Sequence, residues 1–311
     1  MVAYRSAQQR GVPLFVSISS KTVTVAAPAK VNLFLEVLGR RPDGYHELAT
    51  LMVAIDWCDT LEIQAAEAGQ RQLECEPSGW VPAGPENLVW RAAEVLAERT
   101  GQLGQGWRVR LTKRVPTQAG LGGGSSDAAA ALAGLQQLWK LALTNEERVA
   151  MGAAVGSDVP FFLTAPAAWC TSRGEVVTEE PMARPLDFVV VCPPVGLSTA
   201  QVYATVSVPT VPRDGQVLRA ALRQGDVETL GRHLFNRLHQ PACQLAPLVG
   251  QLHARLERLA PFGAWVSGSG SALFALCRSR AEAMQVAADF GRQRPPSEPV
   301  SRVVVVRSLA P

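Results

Sequence analysis

Little in this sequence suits a surface that must grip a polyanion or a lipid headgroup. Lys and Arg together number 30 against 27 Asp and Glu, and no run of five like charges occurs. Nucleic-acid and membrane-surface proteins carry denser basic patches, so neither partner is expected. No stretch approaches the roughly 18–20 apolar residues of a bilayer-spanning helix. Cys58, Cys75, Cys170, Cys192, Cys243 and Cys277 are scattered and never fall as CxxC. That spacing argues against a zinc site or a disulfide framework and fits reduced thiols in a cytoplasmic protein. Internal repeats and low-complexity tracts are also absent.

What is present is a chain able to bury large cores. A hydrophobic share of 47% excludes intrinsic disorder, and 311 residues predict two domains. Residues 1–22 carry Arg5 and Arg10, and the short apolar stretch Val12–Val16 is broken by Pro13. This is too short for a signal sequence and reads as a loose extension or an upstream start.

Strands are expected at Val23–Val25 and Val31–Leu38, with a hairpin turn at Arg41-Pro42-Asp43-Gly44, and then at Leu48–Ile55, Thr60–Ile63 and Trp107–Lys113. Helical spacing over Asn87–Thr100 has Asn87 as N-cap and Gly101 as stop. A glycine loop, Pro116 to Ser126, precedes a helix expected over Ala128–Trp139, and Glu146–Val155 reads as the next helix. Beyond about residue 181 the pattern restarts with a strand at Phe188–Cys192. Helices follow at Thr199–Thr205, Val217–His233 and Leu245–Leu259, then strands at Ala264–Val266 and Ala272–Leu276, a helix at Ala281–Phe290 and a strand at Arg302–Val306. Alternating strands and helices indicate two α/β or α+β lobes, an N-terminal domain over 23–180 and a C-terminal domain over 181–311.

The glycine loop is the strongest chemical signal. Consecutive glycines bring backbone N–H groups close to a ligand, and a helix start adds unpaired donors and the positive dipole end, which together suit phosphates. The register excludes two commoner phosphate loops. No Lys stands at the Walker position, and Ser125 and Asp127 fall where a G-x-G-x-x-G requires its last glycine. Two charges lie in apolar surroundings, Lys30 in Ala29-Lys30-Val31-Asn32 and Asp158 in Gly156-Ser157-Asp158-Val159-Pro160. Alone, each reads as a strand-edge lysine and a turn carboxylate.

Three blocks together resemble the GHMP small-molecule kinases: Pro28-Ala29-Lys30-Val31-Asn32-Leu33, Pro116 through Ser126, and Ser267-Gly268-Ser269-Gly270-Ser271. The blocks Pro42-Asp43-Gly44-Tyr45-His46-Glu47-Leu48, Gly122-Gly123-Gly124-Ser125-Ser126-Asp127 and Gly156 through Phe162 resemble a particular branch of that family. The resemblance spans about Val23 to Val306. It implies a two-lobed fold, with an N-terminal lobe like ribosomal protein S5 domain 2 and a ferredoxin-like C-terminal lobe. It implies phosphoryl transfer from ATP, with Mg2+, to the 2-hydroxyl of a methylerythritol carrying a cytidine diphosphate group, in the non-mevalonate route to isoprenoid precursors.

By the same resemblance Lys30 and Asp158 are the catalytic pair, with Asp158 as base and Lys30 orienting the hydroxyl. Pro116, Gly120, Leu121, Gly122, Gly123, Gly124, Ser125 and Ser126 cradle the ATP phosphates. Asn32, Tyr45 and His46 contact the substrate, and Tyr203 forms a second wall around the cytosine. The metal ligands stay unassigned, and a monomer and a homodimer are both compatible. Other members of the family, acting on homoserine or mevalonate derivatives, remain alternatives, as does a non-catalytic nucleotide-binding regulator. Two departures stand out. Gln118 occupies a place where the family carries a small residue, and Asn236-Arg237-Leu238-His239 replaces a stretch that more often reads Asn-Asp-Leu-Glu.

Overall fold

The structure is a computed structural model that describes residues 13–19 and 21–310. It divides into two compact units that exchange segments of chain. One comprises the described residues up to Ala29, with Trp57–Thr117 and Gly122–Pro166; the other comprises Lys30–Asp56, Gln118–Leu121 and the chain from Ala167.

In the first unit, β1 (Phe15–Ile18) pairs antiparallel with Val23–Ala26 of β2 (Thr22–Arg40). Part of the leader that reads as loose is therefore sheet, its Phe-Val-Ser-Ile sequence being a good strand former; residues 1–12 lie outside the described residues. The end of β3 (His46–Ala66) pairs antiparallel with β5 (Gly106–Thr112), and β4 (Arg71–Glu76) runs parallel to β5. Along β5, Trp107, Val109 and Leu111 are buried while Arg108 and Arg110 are exposed, the period-two pattern of a one-faced sheet.

Among the described residues, four helices belong to this unit. In α1 (Leu88–Thr100) the Asn87 side chain accepts the Val89 N–H, and Gly101 ends the helix at φ 70°. Both caps are those the sequence predicts. The remaining helices are α2 (Gly123–Leu138), α3 (Asn145–Val155), which is opened by a Thr144–Glu147 capping box, and α4 (Val159–Thr164). Ala128–Ala131 and Gly134 of α2 are small, which lets the helix lie close on the sheet. A Cβ on Gly134 would sit 2.2 Å from Ile63 Cδ1 and 3.1 Å from Val25 Cγ2.

In the second unit, β6 (Ala167–Ser172) pairs with Leu48–Val53 of β3, and β7 (Val176–Glu179) pairs with β6. A separate antiparallel sheet is built around β8 (Asp187–Cys192), every residue of which is buried. The region read as one helix over 217–233 is two, α6 (Gln216–Gln224) and α7 (Val227–Arg232), following the short α5 (Thr199–Ala204). The break is Gly225 at φ 72°, after which the Asp226 side chain caps α7. The two-residue β9 (Phe235–Asn236) pairs parallel with Phe34–Leu35 of β2. Then come α8 (His239–Leu245), α9 (Pro247–Leu259), β10 (Trp265–Val266), β11 (Leu273–Cys277), α10 (Arg280–Arg292) and β12 (Arg302–Arg307). The second sheet has the order β10-β11-β8-β12, and Val189, Val191, Leu273 and Ala275 pack in one core with Val249, Leu252, Leu256 and Phe290. No disulfide joins the six cysteines, and burial pushes the Cys192 and Cys277 thiols up to about 12.

Gly134→Val should destabilise the protein by about 1–3 kcal/mol, the usual effect of overpacking a filled interface. Urea unfolding of the variant measures this; an unchanged midpoint would show that α2 has room to move off the sheet.

Candidate active site

The glycine segment departs from its sequence reading in one respect. Gly122, at φ 70°, is the N-cap, and α2 begins at Gly123, ahead of the Ala128 start expected from the sequence. The second and third glycines thus form the first helical turn. The Ser126 N–H already bonds Gly122 O at 2.9 Å, which leaves the Gly123, Gly124 and Ser125 N–H groups as the open donors of the helix start. Positive φ is needed at Gly120 and Gly122, not at Gly123 or Gly124. At Gly123 the constraint is space, since a Cβ would meet Val115 Cγ1 at 3.1 Å and Lys113 Nζ at 3.3 Å. At Gly124 it would make only ordinary contact with Leu88 Cδ1, 3.7 Å away.

Ser126 is fully buried, and its Oγ has no hydrogen-bond partner among the described residues. Pro116 lies in the same unit, at the foot of this segment. Asp158 is the N-cap of α4 with helical φ and ψ, and its carboxylate caps no backbone N–H of that helix. Ser125 Oγ lies 4.0 Å from the point where a Cβ on Gly156 would sit, so the first turn of α2 adjoins the turn that leads into Asp158.

Beneath the helix start is a buried ionic cluster that sequence spacing did not reveal. The ammonium of Lys113 donates to Asp59 Oδ2 and, at 2.7 Å, to Asp127 Oδ2; all three side chains are at most 4% exposed. Burial pushes Asp127 up, to about 7, against the pull of Lys113, and Asp59 adds to the rise. Burial opposes the charge on Lys113, but Asp127 and Asp59 outweigh it and raise its pKa. One lysine between two carboxylates therefore favours holding a proton on the cluster.

The second unit carries the other predicted residues. Lys30 and Asn32 are 3% and 2% exposed on β2. Lys30 Nζ donates to Asn32 Oδ1; Asn32 Nδ2 donates to Thr50 Oγ1 at 2.8 Å, and Thr50 Oγ1 donates to Phe34 O at 2.6 Å. This relay fixes the amide of Asn32 with its oxygen toward the ammonium. Lys30 N donates to Leu121 O at 2.9 Å, and Ser267 Oγ to Gly120 O at 2.9 Å. A Cβ on Gly268 would lie 3.1 Å from Lys30 Nζ, so the serine-glycine turn covers the lysine head.

Asn236 supports that turn by donating from Nδ2 to Val266 O and Gly268 O, both at 2.7 Å. Its neighbours explain the unusual Asn-Arg-Leu-His stretch. Arg237 makes a two-pronged contact with buried Glu36, each arm at 2.7 Å, and His239 Nδ1 accepts the Val266 N–H at 3.2 Å. Burial, then the nearby His253, pushes His239 down to about 4, which keeps that acceptor neutral. Gln118 adopts φ 50°. Glycine is favoured there because any residue with a Cβ typically costs about 1–3 kcal/mol in the left-handed region.

Tyr45 follows the β2–β3 turn and is half exposed, with the Arg173 guanidinium 4.9 Å from its ring centre. His46 stacks instead on Tyr203 of α5, with ring centres 5.0 Å apart and planes 28° from parallel. Burial, then Arg40, lowers the His46 pKa. The structure thus brings His46 and Tyr203 together and places Arg173, which sequence reasoning missed, over Tyr45. Among the described residues no group of three or more His, Cys, Asp and Glu side chains could hold a metal ion, and no helix is long and apolar enough to cross a membrane.

Comparison with known proteins defines the class. The model of the GHMP kinases N terminal domain matches residues 87–165, and that of the GHMP kinases C terminal domain matches residues 218–295. The chain is 39% identical over 272 residues to the 4-diphosphocytidyl-2-C-methyl-D-erythritol kinase of Pelotomaculum thermopropionicum, covering 87% of this chain and 94% of that one. It is 40% identical over 263 residues to the protein of the same name from Geobacter metallireducens, covering 85% and 92%. A crystal structure of 4-(cytidine 5'-diphospho)-2C-methyl-D-erythritol kinase matches with a TM-score of 0.74 at 34% identity, over 91% of this chain and 98% of that one. Homoserine kinase from Cytophaga hutchinsonii gives the same TM-score at 19% identity, over 94% and 96%, and so shares the fold. The chain belongs to the GHMP kinases, within the family of the 4-diphosphocytidyl-2-C-methyl-D-erythritol kinases.

The ionic cluster predicts a pH signature. The folded-state pKa of Asp127, about 7, lies above its unfolded value of about 4. Its contribution is therefore fully present below about pH 4 and lost as pH rises through about 7. Asn mimics the protonated form, so wild-type stability relative to Asp127→Asn should fall between pH 5 and 7, by at most about 1.4 kcal/mol per pH unit. Urea titrations of both proteins across this range read the slope. A difference independent of pH would place the Asp127 pKa outside the window.

Proposed function

We propose that this protein phosphorylates the 2-hydroxyl of 4-diphosphocytidyl-2-C-methyl-D-erythritol, using ATP and magnesium, in the route to isoprenoid precursors. The observation that carries this reading is identity with relatives of that name along almost their full length, 39% over 94% of one of them. ATP supplies the phosphoryl group, and magnesium offsets charge along its phosphates.

Asp158 takes the proton of the substrate hydroxyl, and Lys30 orients that hydroxyl and opposes the charge that develops on its oxygen. The Asn32 amide, fixed through Thr50, holds the ammonium of Lys30 in place and lies beside the substrate. Pro116, Gly120, Leu121 and Gly122–Ser126 make the phosphate cradle. The open N–H groups of Gly123, Gly124 and Ser125 and the unpartnered Ser126 hydroxyl fit an anion with many acceptor oxygens.

Tyr45, His46 and Tyr203 receive the cytosine. Tyr203 stacks on His46 in the structure, so admitting a base exchanges one ring contact for two. The lowered pKa of His46 favours a neutral imidazole, with one nitrogen donating and the other accepting, which suits reading a base edge.

Asp158→Asn should lower kcat by roughly 10²–10⁴ while ATP still binds, as for loss of a general base; steady-state turnover near wild type would remove Asp158 from this role. Tyr45→Ala should weaken the cytidine substrate by about 1–3 kcal/mol without changing ATP affinity, and His46→Ala should narrow the preference for cytidine over uridine analogues. Calorimetry with both analogues checks this pair, and unchanged affinity and selectivity in both variants would dismiss the cytosine site.

A further inference from the structure

The phosphoryl-transfer roles above leave the buried cluster of Asp59, Lys113 and Asp127 without a function. As a stability device it is a poor choice, because a buried ion cluster seldom outperforms apolar residues of similar volume. Asp127 Oδ1 is moreover buried with no hydrogen-bond partner among the described residues. Geometry gives the cluster a different character. Asp59, on β3, accepts the backbone N–H groups of Arg114 and, at 2.9 Å, Val115, and so pins the segment just before Pro116. Lys113 joins that carboxylate to Asp127, which lies in the second turn of α2. Its ammonium also closes the space at Gly123, where a Cβ would come within 3.3 Å of Nζ. A single cation, carried by the segment that enters the glycine loop, thus links the β3 carboxylate that pins that segment to the helix that leaves the loop, beside its first helical residue.

We propose that Lys113 is a positioning residue for the nucleotide: held by Asp59 and Asp127, it sets the place and direction of the N–H donors at the start of α2, and through them the ATP phosphates. It acts through the backbone, since at 5% exposure it is closed off from a ligand. The inference rests on the reading of Gly122–Ser126 as the phosphate cradle. Loss of the cation removes the ionic tie between the two flanks of the segment, and the donors then lose their common aim.

Lys113→Met and Asp127→Leu test this, with near-UV circular dichroism to verify folding. Calorimetry with a non-hydrolysable ATP analogue and magnesium is read beside KM for ATP and KM for the cytidine substrate. Folded Lys113→Met should bind the analogue roughly tenfold to a hundredfold more weakly, the scale of an ångström-sized misplacement, with KM for the cytidine substrate unchanged. A purely structural lysine would lower the melting temperature and leave the affinity of the folded protein untouched, and that result overturns the proposal. Should Lys113→Met fail to fold, Asp127→Leu, which keeps the Lys113–Asp59 pair but removes the hold on α2, decides: weaker analogue binding supports the proposal and wild-type binding overturns it. Gly123→Val separates this from the underlying reading. If it abolishes analogue binding while the cluster variants do not, only the role of Lys113 falls; if it too binds normally, the cradle itself is misassigned.

Discussion

A backbone contact too close for any side chain holds the second unit's part of the site together. Gly120 sits at φ 72° with its Cα turned toward the carbonyl of Ser267, and a Cβ there would come within 1.9 Å of that oxygen. Around this point Ala119 O accepts Ala272 N at 3.0 Å, Leu121 O accepts Lys30 N at 2.9 Å, and Gly120 O accepts the hydroxyl of Ser267. Three sequence blocks that are remote along the chain are thereby bonded through backbone atoms. The placement of Lys30 under Gly268 follows from this approach, because the strand that carries the lysine is fixed by the same short segment. A side chain at residue 120 would push the serine turn off the lysine.

Charge is used sparingly, and a small share of it is buried. Only 18% of the residues are charged, yet Lys30, Glu36, Asp59, Lys113, Asp127, Glu180 and Asp187 are all nearly inaccessible. A buried charge must be paired and hydrogen-bonded to persist, and the partners fall at junctions. Glu36 accepts Arg213 N and the guanidinium of Arg237; Glu180 receives Arg219 and Arg223; Asp187 receives Arg307. In each case the ion pair joins segments that meet only after folding. Removing one partner would leave the other uncompensated, at several times the effect of losing an exposed pair.

Much of the fold was legible where a local physical signal was strong. Asn87 and Gly101 marked both ends of α1 because cap chemistry is written in single residues, and β5 was legible from its alternation. Pro28 suggested two strands where there is one, since proline punctuation is a local rule that strand pairing can override. The strand β4 escaped because Arg-Gln-Leu-Glu-Cys-Glu has little apolar content, and its position beside β5 is decided by tertiary pairing. Glycine was misjudged in both directions. Gly123 and Gly124 read as loop yet are helical, whereas Gly225 splits a helix that looked continuous. The motif residues of the site could be named from sequence, but not the groups that support them. Thr50 and Lys113 carry no motif, Asn236 stood out only within a departing stretch, and the partners of Thr50 and Lys113 lie more than a dozen residues away, where sequence offers no pairing signal.

The proposed phosphoryl acceptor is an alcohol carrying a cytidine diphosphate. ADP release measured in parallel with 4-diphosphocytidyl-2-C-methyl-D-erythritol, homoserine and mevalonate, each with ATP and magnesium, tests it most directly. ADP formation should depend on the cytidine substrate and stay at background with the other two. Turnover with homoserine or mevalonate, and none with the cytidine compound, would contradict it.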